Sequence, residues 1–63
     1  MARYRCYFVG SDGQLVAAET IVSENDRDAR AKADALFAQK VYATGYDLHL
    51  GDRLVSAQEV KAS

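Results

Sequence analysis

Residues 23–45, SENDRDARAKADALFAQKVYATG, decide how the rest of the chain is read. No other stretch is long enough and periodic enough for a helix of several turns, and the segments on either side alternate like short strands. Ser23, Asn25 and Asp26 each carry an oxygen suited to accept bonds from the first free backbone N–H groups. Ser23 with Asp26 three residues on resembles a capping box, whose second member is usually Glu or Gln. Glu24, Asp26 and Asp28 put negative charge at the positive end of the helix macrodipole. Asp26/Arg30 and Asp28/Lys32 stand acid before base at i,i+4, each pair adding about 0.2–0.5 kcal/mol. Gly45 is the expected stop, able to take a left-handed conformation just past the last turn.

At 3.6 residues per turn, Ala29, Ala33, Leu36 and Phe37 fall on one stripe, with the stem of Lys40 beside them. Arg27, Arg30 and Asp34 flank it on one side and Asp28, Lys32 and Gln39 on the other. Two alanines in the stripe allow close approach to a sheet, and Leu36 and Phe37 anchor the C-terminal end. A fainter stripe of Ala31, Ala35 and Ala38 lies on the far side. It reads as helix propensity, or alternatively as a small-residue contact surface for another chain.

Sixty-three residues make one domain, with an ordered core expected over about 3–57 and a polar tail at 58–63. A chain of this length buries only about 60% of its unfolded surface, so its own stability is marginal. It has no proline and a single cysteine, so no intrachain disulfide forms, and oligomerisation is the remaining way to add stability. The lone Cys, with no signal-peptide pattern, fits a reducing, cytoplasmic setting. No apolar run approaches the roughly 20 residues that span a bilayer. With 8 basic against 9 acidic residues, the net charge of -1 gives no field to attract nucleic acid or an anionic membrane. At 49% hydrophobic residues the chain is too apolar for disorder.

Arg3 to Val9 alternates and is rich in aromatics, so it reads as a strand. Tyr4, Cys6 and Phe8 face one way; Arg3, Arg5, Tyr7 and Val9 face the other. Asp12-Gly13, within Gly10-Ser11-Asp12-Gly13, signals a hairpin, and Leu15 to Val22 is the return strand. Leu15, Ala17 and Ile21 then join the Tyr4 face. Glu19 falls there too, either at the rim near Tyr4 or turned out by a bulge. Beyond the helix, Tyr46 to Leu50 and Arg53 to Ala57 form a second hairpin around Gly51-Asp52. Its register pairs Leu48 with Val55 and Leu50 with Arg53, and puts Asp47, His49, Leu54 and Ser56 on the opposite face. Ser56 and Glu59 also have the spacing of a short helical turn. The sum is an α+β fold, ββαββ: a four-stranded antiparallel sheet in the order 2-1-3-4. One helix covers one face, and the crossover is expected to be right-handed. The predicted core is Tyr4, Cys6, Phe8, Leu15, Ala17, Ile21, Leu48, Leu50 and Val55 against the helix stripe.

The uncovered face then carries Arg3, Arg5, Tyr7, Val9, Val16, Ala18, Thr20, Val22, Asp47, His49 and Leu54. Its centre, from Tyr7 and Val9 through Val16 and Ala18 to Leu54, is apolar enough to expect cover. Burying each Val or Leu there is worth roughly 1.5–3 kcal/mol. The chain is therefore expected to be an interaction module that pairs with a second copy of itself through this face. An ordinary monomer surface, or pairing through strand edges, would be the alternatives. Single-stranded nucleic acid bound through Arg3, Arg5 and Tyr7 is a rival reading, since bases stack on aromatic sheet residues.

No motif declares an enzyme, and no cofactor or metal is expected. Cys6 and His49 are the only Cys and His, and side-chain parity puts them on opposite faces. That is too far for a nucleophilic dyad or a closed zinc site. Asp47 shares a face with His49, which leaves an oriented imidazole as the remote catalytic reading. Gly10-Ser11-Asp12-Gly13 joins two strands, whereas phosphate-cradling loops lead into a helix.

Tyr4-Arg5-Cys6-Tyr7-Phe8, Asp12-Gly13-Gln14-Leu15, Asp28-Ala29, Ala33, Leu48 and Gly51-Asp52-Arg53-Leu54-Val55 resemble a family of small uncharacterised bacterial proteins. In that family a hairpin, a helix and a terminal hairpin fill nearly the whole chain. The resemblance spans about residues 3 to 56 and implies the fold but no activity. The first hairpin and Ala-rich helix are also similar in layout to HicB-type antitoxins, which carry a separate DNA-binding element that these residues lack.

Overall fold

The computed structural model describes residues 1–59. Its elements are β1 (Ala2–Val9), β2 (Leu15–Ser23), α1 (Asp26–Gln39), β3 (Gly45–Leu50) and β4 (Arg53–Glu59). The strands form one antiparallel sheet in the order β2-β1-β3-β4. With α1 laid over one face this is the α+β, ββαββ architecture that the sequence predicts. The central strand β1 sets the faces: Tyr4, Cys6 and Phe8 are at most 2% exposed, while Arg3 and Arg5 between them lie in water.

Ala29 and Ala33 sit on that row with no accessible surface, and Ile21, Tyr46 and Leu48 complete the buried cluster. Alanine lets the helix axis come close, and Leu36 and Phe37 close the gap where the helix leaves the sheet. Tyr46 is a core residue that the alternation of β3 places beside Leu48, although the predicted core omitted it. The edge of Phe37 meets its ring at 5.4 Å, and its hydroxyl donates to Asp34 on the helix. Tyr4 does the same at the other end, donating to Asp26 Oδ1 at 2.7 Å. Two buried phenols therefore reach carboxylates on α1, which satisfies their polar tips.

The helix starts as its capping residues allow. Asn25 is the N-cap, in extended conformation, and its Oδ1 accepts from the Asp28 N–H at 2.8 Å. Ser23 is buried at the end of β2 instead, where its hydroxyl donates to Asp28 Oδ2 at 2.6 Å. Asp28 also pairs with Lys32 at 3.2 Å, the expected i,i+4 contact. Asp26 does not turn to Arg30; it bonds Tyr4 and Arg53.

The helix stops at Gln39, well before Gly45. The Lys40 N–H tightens back onto the Phe37 carbonyl at 3.1 Å, and the Thr44 N–H bonds the Val9 carbonyl at 2.8 Å, which hands the chain to the sheet. Gly45 is the buried first residue of β3, opposite Val9. It is not a helix cap, because the chain has already left the helix at Lys40.

Two bulges alter the expected register. In β2, Phe8 faces Ala17 and Val9 faces Leu15, so Val16 is an extra residue with no partner across the ladder. Leu15 thus moves out of the predicted core to 59% exposure on the side of Val9. In β4, Leu48 faces Ser56 and His49 faces Leu54, which makes Val55 the extra residue. Val55 still packs on the core, but Ser56 moves to the helix side and Ala57 takes its place across from Asp47. Strand β4 continues to Glu59, so residues 56–59 are strand where a helical turn was an option. The rest of the expected tail, 60–63, lies outside the described residues. Glu19 needs no bulge: it stays on the helix side opposite Cys6, and its Oε2 meets Lys40 Nζ at 2.6 Å. The same ammonium stands 5.6 Å from the centre of the Phe8 ring.

Because Ala33 fits against the sheet with no accessible surface, Ala33→Leu should overpack this contact and cost about 1–3 kcal/mol in urea unfolding. The exposed Ala31→Leu should change stability by less than about 0.5 kcal/mol.

Candidate interface on the open sheet face

The face turned away from α1 has no covering element among the described residues. Cross-strand pairing arranges it in rows. Arg3 lies beside Val22; Arg5 lies between Thr20 and His49, with Leu54 next to His49. Tyr7 lies between Ala18 and Asp47, with Ala57 beyond, and Val9 lies beside Leu15. Seven of the eight residues expected at the interface sit in these rows: Arg3, Arg5, Tyr7, Val9, Ala18, His49 and Leu54. The eighth, Val16, is the bulge residue, 43% exposed, with its Cγ1 so near Gly10 that a Cβ there would come within 3.2 Å. Leu15, expected in the core, and Ala57, to which the sequence reading assigned no face, join the face. Neither bulge has a compositional signal that would have shown it.

The exposed apolar side chains are unevenly spread. Leu15 (59%) and Val22 (46%) lie on β2 at one side, and Leu54 (53%) lies on β4 at the other. Between them Tyr7, Val9 and His49 are half-buried, and His49 meets the Tyr7 ring edge to face with centroids 5.6 Å apart. Charge is also segregated along the strands. Arg3 and Arg5 occupy the end where β1 begins, and Asp47 the end where β3 begins.

No hydrogen bond joins Asp47 to His49 among the described residues, and the imidazole packs on Tyr7 instead. Cys6 pairs with Leu48 beneath the helix, while His49 pairs with Arg5 in the next, outward-facing row. No group of three or more His, Cys, Asp or Glu side chains converges as a metal site among the described residues. No described helix is long and apolar enough to cross a membrane.

Burial pushes the Cys6 thiol up to about 11, and the carboxylates of Glu19, Asp47 and Asp34 add to this. A thiol held neutral in this way is a poor nucleophile. No protein-family model, curated protein or solved structure matches the chain.

The raised Cys6 value fixes the sign of an alkaline effect. The folded state holds a proton that the unfolded thiol loses at its ordinary value of 9.0, so this stabilisation is full below pH 9 and fades as pH rises to about 11. Urea midpoints measured from pH 8 to 11 should fall over that window, and Cys6→Ala should flatten the fall. In the folded protein a thiol reagent at pH 8 should modify Cys6 no faster than the chain unfolds.

Proposed function

We propose that this chain is a small interaction module that pairs with a second copy through the open sheet face. The observation that carries the reading is the segregated surface itself: exposed Leu15, Val22 and Leu54 around half-buried Tyr7, Val9 and His49. A domain of 63 residues has little core to spare, and covering two or three such side chains adds roughly 1.5–3 kcal/mol for each one fully buried.

Charge supports a second copy as the occupant. A two-fold axis lying between two stacked faces, across the strands, sets the Arg3/Arg5 end of one over the Asp47 end of the other. The face thus complements itself, as a symmetric contact requires. The net charge of -1 adds no long-range repulsion between copies. Arg3, Arg5 and Tyr7 with the neighbouring His49 ring also suit a single strand of nucleic acid. Asp47, directly across from Tyr7, sets a negative charge in that path and weighs against it.

Sedimentation equilibrium at micromolar concentration should give at least twice the 6.9 kDa chain mass. Leu54→Glu should weaken association tenfold or more, about 1.4 kcal/mol or greater. A wild-type chain that remains at 6.9 kDa up to 100 µM, or a salt-dependent shift with labelled single-stranded RNA, would overturn the reading.

A further inference from the structure

The sheet has a second unpartnered feature, the outer edge of β2. In an antiparallel ladder the backbone groups of alternate residues point to opposite sides. Lys32 Nζ lies 2.9 Å from the Val22 carbonyl, on the side away from β1, which shows which set points outward. Val22, Thr20 and Ala18 therefore present their N–H and C=O groups at the edge, and Lys32 occupies one of these six. From Ala17 to Ser23 the pairing with β1 is unbroken, so this edge is regular over that span, beyond the bulge at Val16. The opposite edge, β4, is interrupted by its bulge at Val55, a device that discourages edge pairing.

Beside the β2 edge runs a groove of about 430 Å³, lined by Thr20, Val22, Lys32, Ala35, Leu36 and Gln39. Ala35 in its wall leaves room for side chains arriving at the edge. The outward backbone groups determine what fits: an extended strand. The sequence of the edge determines which strand. An antiparallel copy of β2 centred on Thr20 sets Thr20 against the partner's Thr20, and Ala18 against the partner's Val22. Both are compatible cross-strand pairs.

Area argues for the same occupant. Four strands about 4.8 Å apart and about seven residues long at ~3.3 Å each outline a face of roughly 450 Å². An interface of standard size takes about 800 Å² of accessible surface from each partner, and a single face of this outline falls in the smaller, weaker class. Pairing two β2 edges keeps both helices on one side and joins two open faces into one of roughly 900 Å². The join falls where the apolar surface already reaches the edge, at Leu15 and Val22.

We infer that β2 pairs antiparallel with the β2 of a second copy about Thr20, giving an eight-stranded sheet whose continuous underside is the surface that stacks. This rests on the open-face reading for its second contact, and the two contacts separate experimentally. Lys32 swings from the Val22 carbonyl as the edges meet, and keeps Asp28, 3.2 Å from its amine.

The test is sedimentation equilibrium on the wild-type chain and three variants, each checked for folding by circular dichroism. Proline is tolerated on an edge strand where the N–H faces outward, so Thr20→Pro deletes the central pair of edge bonds, one from each copy, without touching the β1 ladder. The wild type is expected at four copies, Thr20→Pro at two, Leu54→Glu at two, and the double variant at one. A Thr20→Pro mass equal to that of the wild type overturns edge pairing. A Leu54→Glu mass equal to that of the wild type, with Thr20→Pro reduced, overturns the open-face reading and leaves the edge standing. Amide exchange on the unaltered chain gives a second readout. The Ala18, Thr20 and Val22 amides should gain tenfold or more protection between dilute and concentrated samples. Equal, rapid exchange at both concentrations overturns the inference whatever the variants do.

Discussion

The contact between the alanine stripe of α1 and the Tyr4/Cys6/Phe8 row of β1 is the constraint on which the rest depends. Ala29 and Ala33 have no side chain beyond Cβ, so the helix settles close enough for the row beneath to lose its water entirely. Two phenol hydroxyls fix the helix above the sheet, Tyr4 to Asp26 at its first turn and Tyr46 to Asp34 further along. A neighbouring bond, Ser23 to Asp28, ties the end of β2 to the same turn. Once this side is sealed, strand alternation commits Arg5, Tyr7 and Val9 to the other side. The open face follows from how the helix packs.

The bonds at the first turn of α1 also respond to acid. The Tyr4 hydroxyl and the Arg53 guanidinium hold the Asp26 carboxyl below its ordinary value, and Ser23 and Lys32 do the same for Asp28. Both carboxylates stabilise the fold while ionised, and that contribution fades as pH falls through their lowered values. Each joins α1 to a different part of the sheet, so protonation loosens the helix first at its N-terminal end.

Much of this was legible in the residues. The alternation of Arg3 to Val9 gave the faces, and Asp12-Gly13 and Gly51-Asp52 gave the hairpins. The helical crossover, which makes β2 and β3 parallel in direction, then led to the observed strand order. The helix face was readable from Ala29, Ala33, Leu36 and Phe37. What was not readable has a common physical origin: a one-residue insertion in a ladder depends on cross-strand geometry, and no residue type announces it. Val16 and Val55 are ordinary strand residues, yet as bulges they moved Leu15 to the surface and exchanged Ser56 for Ala57 on the open face. The helix end was misread for a related reason. Gly45 has the right character for a cap, but the Lys40 N–H turns back to Phe37 and the Lys40 amine is drawn to Glu19 across the sheet.

A small domain with one sealed and one open face has two unmet requirements, apolar surface in water and a strand edge with unpaired backbone. On the proposed reading further copies of the chain meet both, one at the edge and another on the open face, because each surface complements itself. The most direct measurement is an isotope-filtered nuclear Overhauser experiment on a mixture of labelled and unlabelled chains. The account predicts intermolecular contacts from the Val22 methyls to the Tyr7 ring and from the Leu54 methyls to the His49 ring, and none from Leu48 or Phe8. Intermolecular contacts confined to the helix surface, or none at millimolar concentration, would contradict it.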